Sequence, residues 1–357
     1  EWREYERAST AVMNSYIGPV TNNYLKSLQK QLSDSNYKKP LYIMQSNGGV
    51  IRAESALEQP VKTLLSGPVG GTIGGQALSK LIKRPNLICV DMGGTSFDMS
   101  LIINGKPSVT NETEQEYIPL LIPLVDIHTI GAGGGSVAWL ENDALRVGPR
   151  SAGANPGPAC YGKGGVEPTV TDANIVLGYL PETAYLGGDM KIYKSKAIPA
   201  IQSIAESLKF NIERAAEGIY NIVNERMIGA LRLISIQQGY DPRDFALVAF
   251  GGAGPIHANA LANILGSWPV IVPPAPGVLC AYGDATTYVK DEASRTIMKR
   301  FSETTNNEIL EIFDQLIEKA SAALDLEDIP RNNQTITLEA DIRYTGQVLH
   351  RTVTINK

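Results

Sequence analysis

Cysteine is scarce in this chain and does not pair. Its 357 residues hold three, Cys89, Cys160 and Cys280, an odd number at wide spacing. This excludes a disulfide framework and points to a reducing, cytoplasmic setting. No apolar run reaches the ~18 residues that span a bilayer, and no basic-then-apolar leader opens the chain. Basic runs are missing too, with a net charge of −5 and a pI near 5.4. Nucleic acid and anionic membrane are thereby excluded as main partners. Any chemistry on phosphate must rely on backbone N–H groups and a metal. What the chain does have is 43% hydrophobic residues, enough for a sizeable core in about two to three domains.

The most informative stretch runs from Leu87 to Ile102: an apolar strand, the turn Asp91-Met92-Gly93-Gly94-Thr95, and a second apolar strand through Asp98. Adjacent glycines let a backbone approach an anion and aim successive N–H groups at it. At the end of the first strand Asp91 is placed to hold a hydrated Mg²⁺, while Thr95 and Asp98 can bond phosphate oxygens or orient a water. A glycine-turned hairpin without a ligand is the alternative reading.

Around this hairpin, helical spacing of Val12, Met13, Tyr16, Val20, Tyr24, Leu28 and Leu32 predicts a helix from Glu1 to about Leu32, kinked or divided at Pro19. Leu41–Met44 reads as a strand entering the turn Asn47-Gly48-Gly49. A helix over 65–78 is studded with small residues that permit close packing. Asn104-Gly105 is a two-residue hairpin turn, and the sheet is expected to be mixed. Residues 131–168 read as a long glycine- and proline-rich loop, functional rather than disordered. Helical periodicity covers 198–238, with Gly239 as its stop. Strand 245–250 enters Gly251-Gly252-Ala253-Gly254-Pro255 and a following helix, a second ligand-loop candidate. An amphipathic helix over 309–324 and a strand-like tail over 335–355, with Gly346-Gln347 between two runs, close the chain.

Further candidates carry two readings each. Asp126 and His128 share one face of a strand. They form either a metal pair needing a third ligand, with Asp172 a candidate, or a hydrogen-bonded pair supporting the Gly131 loop. His257 is a packing or capping histidine, or a general acid. Cys160 is structural, or a nucleophile if exposed and lowered in pKa. Cys89 belongs to the core, and Cys280 has no evident partner in the sequence.

These motifs together with Glu4-Tyr5-Glu6-Arg7, Gln45-Ser46-Asn47-Gly48-Gly49, Gly131-Ala132-Gly133-Gly134-Gly135-Ser136, Thr171-Asp172-Ala173-Asn174, Asp241-Pro242-Arg243 and Arg343-Tyr344-Thr345-Gly346-Gln347 resemble the hydantoinase A/5-oxoprolinase family over nearly the whole chain. The resemblance implies an α/β, actin-like (ribonuclease H-like) ATPase lobe with a mixed sheet and flanking helices. It divides the chain into a helical connection (1–40), the lobe (41–288, with a glycine-rich insertion at 131–190 and a helical segment at 198–239), and the start of a C-terminal domain (289–357). It implies ATP and Mg²⁺ as cofactors, Asp91 on the Mg²⁺ side, Asp98 as a second polar group, Gly93, Gly94 and Thr95 as the phosphate cradle, and Gly251, Gly252, Ala253 and Gly254 along the adenosine. It also implies phosphoryl activation of a cyclic amide such as 5-oxoproline or a hydantoin, with a hydantoinase B-type partner and a homo- or hetero-oligomer. An acetone- or acetophenone-carboxylase ATPase subunit and a non-catalytic nucleotide switch are the alternatives. The family pattern includes an earlier Asp-x-Gly-Gly-Thr hairpin, and none precedes residue 91. The expectation is a fragment of a two-lobed protein, or else a divergent member, that binds ATP weakly or not at all by itself. Sub-micromolar affinity for ATP in calorimetry on this chain would overturn that expectation.

Overall fold

The computed structural model describes residues 3–115, 117–183, 185–347 and 350–355. The chain divides into two units, one formed by residues up to 64, 111–124 and from 287 onward, the other by 65–110 and 125–286.

In the first unit a helix of 31 residues, Glu4–Asp34, continues through Pro19; the first two residues of the predicted helix lie outside the described ones. The helical period is as expected, and the structure shows which row is buried. Met13 and Ile17 pack with Val61, Ile122 and Leu124, and Leu25 packs with Ile51 and Ala56. Val12, Tyr16, Val20 and Tyr24 stay exposed. Periodicity alone could not choose between these neighbouring i, i+4 rows, because the residues that cover the buried row come from distant segments. Strands Tyr42–Met44 and Val50–Arg52 pair through the predicted turn, in which Gly49 N donates to Asn47 Oδ1 at 2.9 Å. Helix Asn306–Leu326 begins in a reciprocal Thr305/Glu308 capping box. Strands Leu338–Ile342 and Arg351–Ile355 then pair antiparallel. Val348 and Leu349 of the predicted tail lie outside the described residues.

The second unit is built from α1 (Ser66–Ile82), β1 (Leu87–Met92), β2 (Phe97–Ile103), β3 (Lys106–Pro107), β4 (Ile127–Ile130), β5 (Ser136–Glu141), β6 (Ala144–Ser151), α2 (Val170–Val176), α3 (Lys194–Leu208), α4 (Ile212–Ile234), β7 (Ala246–Phe250), α5 (Gly254–Leu265), β8 (Val270–Ile271) and α6 (Leu279–Thr286). Its six-stranded sheet runs β4-β2-β1-β7-β8, with β3 also on β2. The β1–β2 and β2–β4 pairs are antiparallel, and β1–β7 and β7–β8 are parallel. The sheet is therefore mixed, as expected.

Alternation along the strands fixes what each face meets. Ile88, Val90 and Met92 join Met99 and Leu101 in a core covered by Ala173 of α2, Ile201 of α3, Ile219 of α4 and Leu261 of α5. Leu87 and Cys89 point the other way with Ile102, Ala246, Val248 and Phe250, against Leu279 of α6 and Leu78 and Ile82 of α1. By the same parity Asp91 and its partner across the hairpin, Asp98, belong to the α1/α6 face.

One expectation needs correction. The 131–168 stretch is not a continuous loop, since β5 and β6 form an antiparallel hairpin inside it. Asn142 (φ 48°) and Asp143 (φ 63°) make its turn, both in the left-handed region that Asn and Asp tolerate. The flanking glycines and prolines hide this hairpin from a composition reading.

Helices α1 and α6 approach as closely as their glycines suggest. A Cβ on Gly74 would lie 2.8 Å from the Leu279 carbonyl oxygen, and one on Gly283 would collide with the carbonyl of Gly70. Gly229, on an exposed turn of α4, has open space around it. Gly74→Ala is therefore expected to destabilise by about 1–3 kcal/mol through overpacking. Gly229→Ala is expected to stabilise by about 0.5–1 kcal/mol through reduced chain entropy. Denaturant titrations of both variants beside wild type check the opposite signs.

Candidate active site

The hairpin turn after β1 is held open at its tip and fastened from below. Asp91 and Asp98 face each other across β1 and β2. Asp98 accepts from Thr129 Oγ1 at 2.5 Å and from Ser96 Oγ at 3.0 Å. Asp91 Oδ2 accepts from the Cys280 thiol at 3.2 Å. Burial raises the Asp91 pKa, the Cys280 hydrogen bond opposes that rise, and the nearby Asp98 charge adds to it. The same burial, with Asp91 beside it, pushes the Cys280 thiol up to about 12, so the sulfur keeps its proton and donates.

Beneath the tip, Gly134 N and Gly135 N donate to the carbonyls of Gly93 (3.0 Å) and Gly94 (2.7 Å). A Cβ on Gly133 would lie 2.5 Å from Thr95 N, so the approach requires glycine there. Gly134 in turn accepts from both the backbone N and Oγ1 of Thr171 on α2, each at 2.8 Å. At the strand end, Ala253 N donates to Met92 O at 2.8 Å. Gly251 sits at φ 78°, and a side chain there would strike Asp91. The 251–254 loop and the hairpin are thus neighbours, brought together by the parallel β1–β7 pair.

Gly93 and Gly94 differ from these supporting glycines. Neither adopts a left-handed φ, and a Cβ on either would meet no atom within 4 Å. Neither backbone conformation nor packing calls for glycine at these positions, and the space before them is open. Gly252 is open in the same way. An uncrowded glycine turn, with a carboxylate at the end of the strand that enters it, fits a polyphosphate and its cation.

The chain matches the model of the hydantoinase/oxoprolinase family over residues 7–293. The chain belongs to the hydantoinase/oxoprolinase family. It is 40% identical to the caprolactamase subunit alpha of Pseudomonas jessenii over 97% of this chain and 50% of that one. The crystal structure of the ATP-dependent caprolactamase from the same organism superposes with a TM-score of 0.84 at 38% identity, covering 99% of this chain and 52% of that one. A nucleotide-free structure of acetone carboxylase superposes at 0.82 and 27% identity, covering 99% of this chain and 51% of that one. The chain therefore spans about half the length of these relatives, and its fold is the α/β, actin-like ATPase type.

The hydantoinase/oxoprolinase chain does not assemble every candidate. Among the described residues no three His, Cys, Asp or Glu side chains gather as a metal group, and Asp126 and His128 gain no third ligand. Asp172 is engaged elsewhere. It is buried in a reciprocal capping box with Thr169, accepts from Cys160 N at 2.8 Å and Ala159 N at 3.2 Å, and has a pKa raised chiefly by burial. The spacing Thr169-x-x-Asp172 was the available signal for that role. Cys160 is fully buried, and burial with Asp172 nearby raises its pKa well above the ordinary thiol range, the opposite of nucleophile activation. The Cys280–Asp91 contact joins residues 189 apart, beyond any local pattern.

His257 takes the packing role. It is wholly buried and stacked on Tyr220 at 4.9 Å between ring centroids, with Nδ1 2.8 Å from Asn224 Oδ1 and Nε2 3.3 Å from Asn174 Nδ2. An amide oxygen only accepts, so the network assigns the proton to Nδ1 and leaves Nε2 as acceptor. Burial lowers its pKa from 6.5 to about 4. The folded state thus prefers neutral imidazole. The penalty for protonation is absent above pH 6.5, grows as pH falls, and is complete near pH 4 at on the order of 3 kcal/mol. Urea titrations between pH 7 and pH 4 should show wild type losing stability faster than His257→Gln, which has no proton to gain.

Proposed function

We propose that this chain is the nucleotide-handling part of an ATP-dependent enzyme that activates the carbonyl of a cyclic amide, of the 5-oxoproline, hydantoin or lactam type, for hydrolysis. The observation that carries this reading is the uncrowded pair Gly93-Gly94, on a hairpin whose supporting glycines at 133–135 and 251 are each explained by packing or by φ. The caprolactamase relative, itself described as ATP-dependent, supports the choice of substrate class.

The chemistry follows from the leaving group. Amide nitrogen leaves poorly, and water attacks an amide carbon slowly. Attack of the amide oxygen on the γ-phosphorus forms a new O–P bond, breaks the bond from that phosphorus to the bridging oxygen, and releases ADP. Water then adds to the activated carbon, the ring C–N bond breaks as the nitrogen takes a proton, and a second water cleaves the acyl phosphate so formed to carboxylate and phosphate. The protein's part is mainly positioning and charge stabilisation. With Gly93 N bonded to Ser96 O within the turn, the backbone N–H groups of Gly94 and Thr95 hold phosphoryl oxygens, Gly93 leaves them room, Thr95 Oγ1 adds a donor, and Asp98 orients a water or a phosphate oxygen. The Gly251–Gly254 loop lies along the adenosine. Asp91 is the residue that would hold Mg²⁺, which supplies neutralisation of the phosphate charge. Residues 41–288 act as the ATPase lobe, with 1–40 as a connection and 289–357 as the start of a further domain. A hydantoinase B-type subunit is the proposed partner, since the caprolactamase relative is a subunit alpha. The working compartment is proposed to be the cytoplasm.

A second reading is supported by the superposition on acetone carboxylase. There the same phosphoryl activation would prepare a ketone enol for carboxylation.

The test is ATP hydrolysis by the intact gene product with its copurifying partner, in Mg²⁺ buffer, with and without 5-oxoproline, hydantoins, caprolactam and acetone. Stimulation by a cyclic amide that vanishes in Asp91→Ala is expected, and stimulation by acetone alone selects the carboxylase reading. Gly94→Ala should melt like wild type yet lose at least tenfold in stimulated turnover, because its methyl group fills space that no protein atom occupies. Tight nucleotide binding without turnover on any ligand would replace the enzyme reading with a switch.

A further inference from the structure

Three polar side chains, Asn174, Asn224 and His257, are 1%, 3% and 0% exposed within an otherwise apolar core. Burying them is costly unless they bond to one another, and they do so in a row from α2 through α5 to α4. The row leaves one atom over, since Asn174 Oδ1 is buried with no partner. Among the described residues the Asn174 amide therefore has a single side-chain hydrogen bond, the one that ends on His257.

The two ends of that bond lead to different parts of the site. His257 lies in the first turn of α5, and the 251–254 loop enters that helix. Asn174 lies on α2, whose Thr171 grips Gly134, which grips Gly93 at the hairpin tip. The strand end just before the turn has its own tie to the loop, from Ala253 N to Met92 O. That single tie leaves the 93–96 turn beyond it free to tilt, whereas a second through α2 removes that freedom.

We infer that His257 is a positioning residue whose bond to Asn174 fixes the tip of the 93–96 hairpin relative to the 251–254 loop. Its consequence for ligand binding rests on the nucleotide reading above: the spacing between the phosphate end and the adenosine end of the bound nucleotide depends on it. The ring contributes no proton to chemistry and touches no reacting group.

The test separates the strut from general packing. In His257→Asn the shorter side chain keeps a donor toward Asn224 and withdraws the acceptor from Asn174. In His257→Gln the longer side chain offers an acceptor to Asn174 again. Hydrogen–deuterium exchange on the chain without ligand is read at the amides of Gly134 and Gly135, with β1 amides reporting global unfolding. The expected result is about fivefold to tenfold faster exchange at 134–135 in the Asn variant, the loss of roughly one hydrogen bond, with most of the protection restored in the Gln variant and β1 unchanged. In the intact gene product the Asn variant should raise the Kd for ATP by a similar factor and leave that for adenosine within twofold. Equal exchange in both variants, a rise matched in β1, or parallel losses for ATP and adenosine would each overturn the inference. Exchange behaving as stated while wild type binds no nucleotide would demonstrate the strut and refute the nucleotide reading instead.

Discussion

The approach of one glycine-rich backbone to another organises the second unit. The carbonyls of Gly93 and Gly94 take the N–H groups of Gly134 and Gly135, and that contact supports the turn that joins two inner strands of the sheet. A turn meant to grip an anion must be held still and must also keep its own N–H groups unspent. The supports bond the turn through its carbonyls and spend none of its donors, although Gly93 N is taken within the turn by Ser96 O at 3.2 Å. Positions 133–135 accept no side chain for this reason, with Cβ atoms there lying within 3 Å of the hairpin or its supports.

From that contact the rest of the unit follows outward. Thr171 carries Gly134 and is itself set on α2 by the Thr169/Asp172 capping box. The box binds the Ala159-Cys160 turn, and Cys160 O in turn accepts from Tyr193 N just before α3. On the other side of the hairpin, parallel pairing of β1 with β7 delivers the 251–254 loop to Met92 and Asp91. Local signals start each piece, and long-range backbone bonds join them.

That division explains what could be read from the sequence. The apolar strands at 87–92 and 97–103, the Asn104-Gly105 turn and the strand–glycine–helix pattern at 246–265 are local, and each is found where expected. The β5–β6 hairpin was missed because its Asn142-Asp143 turn lies within a region whose composition suggests a loop. The buried row of Glu4–Asp34 could not be read because its partners, Val61 and Ile122, are distant in sequence. Among the site candidates, the spacing of Asp91, Gly93, Gly94 and Asp98 is local and was legible. The contacts of Cys280 with Asp91, and of Asn174 and Asn224 with His257, join residues 33 to 189 positions apart. Nothing in a short window encodes them.

The parity that puts Asp91 and Asp98 on the α1/α6 face has a further consequence for how this protein tolerates change. The carboxylate at the edge of the cradle does not rest on a conventional core of interlocking aliphatic side chains. Its neighbour is the Cys280 thiol, which a Cβ on Gly71 would approach to 3.1 Å, and a Cβ on Gly70 would approach the carbonyl of the same residue to 2.7 Å. The helix pair has no slack to absorb a methyl group. Substitutions that leave the charge pattern intact would still move the acid through the sulfur that holds it. In this layer, packing volume and electrostatic alignment are the same variable, and a screen for heat resistance would find few neutral routes through it.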